Sequence, residues 1–141
     1  MRNATVVLLF ATLAVVGCES DTTLPPDLVN VPFRLQSVNG ALIPAAVFDS
    51  ATPPVRVDAL SGAITLRPDN TFTDVTTLRQ TVAEVASNRT VACGGTFASV
   101  GLVFEFTETA ATPECGRMFS GVVSGSSLAA SVLGVPAVFS R

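Results

Sequence analysis

From about Pro32 to Arg141 the chain is a series of short, mostly alternating runs, each stopped by turn residues after about 8 to 12 positions. A period of two places alternate side chains on opposite faces of a strand, and no long stretch sustains the 3.6-residue period of a helix. "FRLQSV" (33–38) alternates through Phe33 and Leu35 and meets Asn39-Gly40, a strong turn dipeptide. "ALIPAAVFDSATPP" (41–54) carries prolines at 44, 53 and 54 and reads as a long connection or an edge segment. "VRVDAL" (55–60) suits a short strand. "GAITLRP" (62–68) places Ile64 and Leu66 on one face, Thr65 and Arg67 on the other, before a turn at Pro68-Asp69-Asn70. "TFTDVTTLRQTV" (71–82) is rich in β-formers. "VACGGTFASV" (91–100) and "LVFEFTE" (102–108) pair across Gly101, with Leu102, Phe104 and Phe106 facing one way and Val103, Glu105 and Thr107 the other. "RMFSGVVSG" (117–125) and "LAASVLGVPAVFSR" (128–141), joined by a Ser-Gly-Ser-Ser turn, complete the series; only "TVAEVASN" (81–88) suits a helical turn. The expectation is an all-β domain over 32–141, a small up-and-down antiparallel barrel of about eight strands.

The residue types that are missing exclude much chemistry. The chain has no His, Lys, Tyr or Trp, and its eight positive charges, all Arg, stand against eleven carboxylates. Without His there is no imidazole base for a Ser or Cys nucleophile, and without Lys no Schiff base. A weakly acidic chain lacks the basic face that nucleic acid requires. No enzyme activity, catalytic residue, metal site or cofactor is expected.

The first residues read differently. Met1-Arg2 supplies a positive start, and Ala4 to Val16 is apolar apart from Thr5 and Thr12. That length suits a secretory signal helix and is short of a membrane span. Its end, Val15-Val16-Gly17-Cys18, resembles the lipobox of bacterial lipoproteins, with Val where Leu is commoner at position 15. The resemblance implies removal of 1–17, acylation of Cys18, and a partner in the envelope membrane reached through those acyl chains. Glu19 after the Cys implies the outer membrane, on its periplasmic or surface face. The alternative is an ordinary cleaved signal with an incidental Cys. Residues 18–31, polar and interrupted by Pro25-Pro26, read as the lipidated Cys and a flexible tether in extended backbone.

The body resembles the small lipocalin-like domains of bacterial lipoproteins in "FRLQSVNG", "GAITLRPDNTFT", "GGTFASVGLVFEFTE" and "FSGVVSGSSL…AVFSR". A weaker likeness is to META-type envelope domains, which pair a "C-G" strand with a later Thr-x-x-Cys, here Thr112 and Cys115. Neither resemblance implies a reaction. The lipocalin-like one implies a β-barrel binding a small apolar ligand.

Cys93 and Cys115 form an even remainder once Cys18 is set aside, which in an exported chain suggests a disulfide. Two free thiols or a metal pair are the alternatives. Asp69, Asp74, Glu84, Glu105, Glu108 and Glu114 read as scattered surface carboxylates, with Asp69 a turn residue and Glu105 and Glu108 on opposite faces of a strand. Phe33, Phe72, Phe97, Phe104, Phe106 and Phe119 are the candidate lining of an apolar cavity, or else they fill the barrel. Two functions stay open: a membrane-anchored carrier of a small apolar ligand, and an interaction protein with a solid barrel, its contact lying in the Pro-rich segment 41–54.

Overall fold

The computed structural model describes residues 24–141, so the expected signal helix and Cys18 lie outside the described residues. The alternating runs form ten strands: β1 (Pro32–Val38), β2 (Ala41–Leu42), β3 (Ala45–Ala51), β4 (Pro54–Leu66), β5 (Thr71–Val82), β6 (Val85–Val100), β7 (Val103–Glu108), β8 (Met118–Ser124), β9 (Ser127–Val132) and β10 (Val135–Ser140). Every strand from β4 to β10 pairs antiparallel with the next, and β1 pairs with both β10 and β4. That second pairing, Phe33 opposite Ile64, closes an eight-stranded antiparallel barrel of β1 and β4–β10. Closure removes the sheet edges within the barrel wall.

Three local readings from sequence differ from the structure. "VRVDAL" and "GAITLRP" are one strand, because a bulge between Ala59 and Ser61 absorbs the break while β5 runs unbroken alongside. Residues 81–88 hold no helical turn: β5 folds back on β6 at Ala83-Glu84, two residues at φ 46° and 71°. The part of the expected tether that is described, 24–31, is not free of the barrel. Pro26–Leu28 form a 3-10 turn, Leu28 is buried, and the Asn30 amide donates to the Leu66 carbonyl. Burying Leu28 gives this stretch a reason to dock that its polar composition hid.

The barrel interior is mostly apolar. Phe33, Leu35, Ile64, Leu66, Phe72, Leu78, Phe104, Phe106, Leu128 and Phe139 are all buried. The intervening positions, such as Thr71, Thr73, Glu105, Ser120, Ser124 and Ala129, are partly or fully exposed. This is the reverse of a lipid-facing barrel, which is apolar outside and polar inside. Among the described residues no helix is long and apolar enough to cross a membrane.

The barrel has two unlike ends. At the near end the chain enters through Leu24–Val31, and the turns at 67–70, 101–102 and 125–126 lie there. Arg141 binds the Asp27 carboxylate at 2.8 Å, and so ties the 3-10 turn to the end of β10. At the far end the strands outgrow the barrel. The first half of β4 pairs with β3 rather than β1, and β5 and β6 continue beside it to their own turn. Two hairpins, β3–β4 and β5–β6, thus form a four-stranded arm. The arm segment Val85–Thr90, exposed throughout, would measure about 20 Å at about 3.3 Å per residue.

Candidate functional site

The phenylalanines meet one another inside the barrel. Phe106 stacks on Phe119, with centroids 4.7 Å apart, and stands edge-on to Phe72 at 4.9 Å. Phe97 stands edge-on to Phe104 at 5.7 Å. Phe33, Phe72, Phe97, Phe104 and Phe106 are buried, and Phe119 is partly so. The small inward residues, which leave room on paper, sit opposite large ones. A Cβ added to Gly121 would come within 3.0 Å of both Phe106 and Leu128, and one added to Gly62 within 3.3 Å of Leu35. The rings thus touch one another, and the small residues at 62 and 121 stand against large side chains.

One side of the barrel contains charge. Asp74 and Thr76 on β5, Glu108 at the end of β7, and Arg117 just before β8 share inward positions. The Arg117 guanidinium donates through Nε to Glu108 Oε2 at 3.0 Å and through Nη2 to Oε1. The Arg117 amide donates to the same carboxylate at 3.1 Å, and the Glu108 amide to the Arg117 carbonyl. Asp74 is left with the more distant approach of Arg117, 3.8 Å, and a hydrogen bond from the Thr76 hydroxyl. One cation thus serves two buried carboxylates. Burial raises the Asp74 pKa to about 6; Thr76 and Arg117 pull it down, and Glu108 pushes it up.

The loop 109–116 lies between Glu108 and Arg117. The Cys93–Cys115 disulfide, with Cα atoms 5.6 Å apart, ties it to β6. Arg89 on β6 also pairs with Glu114 in that loop. The disulfide expected from sequence is thus formed. Asp69 accepts from the Thr71 amide and hydroxyl, as a turn residue does, and Glu105 is exposed while Glu108 is buried.

Sequence reasoning missed that Asp74 and Glu108 are interior. The signal was present: Asp74 is in phase with Phe72 and Leu78, Glu108 with Phe104 and Phe106, and Arg117 with Phe119. A raised carboxylate beside a second one resembles an acid/base pair. Here the Glu108 side chain is 0% exposed and bound by three donors, so the group acts as a lock across the loop.

A second charge network braces the arm. Asp58, buried on the outer face of β4, accepts from Arg56 at 2.8 Å and from Arg79 on β5 at 3.0 Å, while Arg56 reaches toward Asp49 on β3. Burial alone would raise the Asp58 pKa; the two arginine hydrogen bonds outweigh it and hold the group below its ordinary value. An open groove of about 170 Å³ runs between the hairpin tips, lined among others by Asp49, Pro54, Arg56, Thr81 and Glu84. From Val85 to Val91, β6 pairs with β5 on one side and, among the described residues, with no strand on the other. An open groove of about 290 Å³ lies at the near end, against Leu28, Leu102 and Arg141.

These features define a closed, eight-stranded antiparallel barrel with a mostly apolar interior, one buried charge cluster and a projecting two-hairpin arm. No protein family, curated protein or solved structure matches the chain.

Proposed function

We propose that this chain is a non-enzymatic envelope lipoprotein, anchored through Cys18, whose filled barrel is a rigid mount for a protein-binding arm. The observation that carries the reading is the pairing of a ring-packed interior with a four-stranded sheet extending past it. A carrier needs interior volume, and the interior positions are occupied by Phe72, Phe104, Phe106 and Phe119 in mutual contact. An arm with unpaired strand edges offers main-chain groups to a partner strand, and the groove at its tip presents Asp49, Arg56 and Glu84. Its β3–β4 hairpin includes much of the Pro-rich segment from which a contact is expected.

Native mass spectrometry on the domain from Glu19 onward, exported without lipid, tests the barrel. The expected result is the bare protein, still bare after incubation with a lipid extract. An apolar molecule retained at one per chain would overturn the filled-barrel reading and restore the carrier. The anchor is tested separately by Cys18→Ser, which is expected to move the full-length protein from the membrane fraction to the soluble one. An unchanged distribution would remove the lipoprotein reading.

A further inference from the structure

The turn between β6 and β7 is built from the wrong residues for a turn in water. Tight turns favour Gly, Asn, Asp, Ser and Pro, and Asn39-Gly40, Pro68-Asp69-Asn70 and Gly125-Ser126 comply, whereas Ala83-Glu84 departs but with a charge in the turn. Here Gly101 is flanked by Val100, 84% exposed, and by Leu102 and Val103, each 46% exposed. Val122, paired with Val103 across β7 and β8, extends the apolar surface. Residues 99–104 contain no charge. At the far end Leu133 packs against the core, while Leu42, Val85 and Met118 are exposed but belong to separate strands and turns.

The turn lies at the end where the chain enters. Leu102 shares the near-end groove with Pro25 and Leu28. Five residues separate Cys18 from Leu24, a reach of about 20 Å at most. An acylated Cys18 therefore keeps this end of the barrel, and not the arm, within one short segment of the lipid.

We infer that the Val100-Gly101-Leu102-Val103 turn is a membrane contact, resting in the interfacial layer of the phospholipid surface that holds the anchor. The inference rests on the reading that Cys18 carries that anchor. Acyl chains supply the affinity; the turn supplies the orientation, since a body tethered at one point is otherwise free to lie on any side. With this end down, the two hairpins point away from the membrane toward whatever they bind.

The absence of Trp makes the test direct, because a single introduced indole reports one position. The chain from Cys18 to Arg141, with Cys93–Cys115 formed, is coupled through the Cys18 thiol to maleimide-headed lipid in phosphatidylcholine–phosphatidylglycerol vesicles. Val100→Trp sits at the turn and Val85→Trp at the arm tip, and both side chains are largely exposed, so neither change removes core packing. Leu102→Trp serves as a second probe of the turn.

On tethering, emission from Val100→Trp is expected to shift to the blue and fall by about twofold or more with brominated acyl chains, while Val85→Trp is unchanged. Equal, unquenched emission from both positions would overturn the inference. So would a Val100→Trp blue shift that depends on protein concentration in the absence of vesicles, which would assign the turn to contact with a second copy. The coupling is chemical, so this outcome is independent of cellular acylation, which the Cys18→Ser fractionation reads.

Discussion

Arg117 closes on Glu108 through main chain and side chain together: each amide donates to the other residue, and the guanidinium holds both carboxylate oxygens. The pair forms the neck of the 109–116 loop, and it leaves Arg117 Nη1 buried without a partner among the described residues. A buried pair of this kind adds little stability over apolar residues of similar shape, yet breaking it strands a charge. Arg117→Met would leave Glu108 and Asp74 without their cation.

Arg117→Met is therefore expected to cost about 3 to 5 kcal/mol at neutral pH, and less near about pH 4.5, where Asp74, raised to about 6, carries a proton and needs no cation. The double change Glu108→Leu/Arg117→Met is expected to recover most of the loss. Urea unfolding at both pH values checks this; equal destabilisation of single and double variants at both would refute the pairing as the cause.

Asp74 makes the protein respond to acid in an unusual direction. Its carboxyl titrates near 6 in the folded chain against an ordinary 3.8, so between those values the folded state binds more protons than the unfolded one. Stability from this group is fully present below about pH 4 and is lost as pH rises through about 6, a difference of about 3 kcal/mol. Asp58, Asp69 and Glu114, all held below their ordinary values, act oppositely and lose their contribution only at lower pH. The melting temperature should thus rise on going from pH 7 toward pH 5. Asp74→Asn, which keeps an acceptor for the Thr76 hydroxyl, should raise stability at pH 7 and flatten that slope. A wild-type profile already flat over this interval would count against a raised Asp74.

Much of the barrel was legible because alternation is a local property. Phe33 and Leu35, Ile64 and Leu66, and Phe104 and Phe106 declare their strands and faces without reference to partners. What was not legible depends on distant chain. The bulge at Ala59–Ser61 is recognisable only once β5 lies alongside as a continuous strand. The Ala83-Glu84 turn lacks the Asn or Gly that signals such a turn, and is imposed by the pairing of Val82 with Val85. Asp58 is buried by arginines on two strands, one of them 21 residues away, so no local pattern marks it. Closure itself rests on β1 meeting β4 across an excursion of two further strands.

The disulfide spans a separation of 22 residues, and the chain-entropy account puts its contribution at about 3 kcal/mol. The Glu108–Arg117 pair still closes the loop neck when the bond is broken. Cys93→Ala/Cys115→Ala is therefore expected to lower stability by about that amount while leaving the far-ultraviolet circular dichroism of the barrel unchanged. Guanidinium unfolding of the oxidised protein and the double variant gives the difference. Complete loss of the β signature in the variant would mean that the loop is required for the barrel to form, contrary to this account.

The arm's tip is the place where the sequence can be improved. Ala83 and Glu84, at φ 46° and 71°, both occupy the left-handed region that a two-residue turn of this hand requires, and neither residue type favours it. Ala83→Asn/Glu84→Gly supplies the preferred pair and should stabilise the tip by about 1 kcal/mol. Tip opening is local, so the gain should appear as slower amide exchange in the β5–β6 tip, with little change at Leu78 or Phe104 in the barrel. Glu84→Val, a β-branched residue at a positive φ, should speed exchange at the same amides. If both variants leave tip exchange at the wild-type rate, the hairpin does not turn at these two residues.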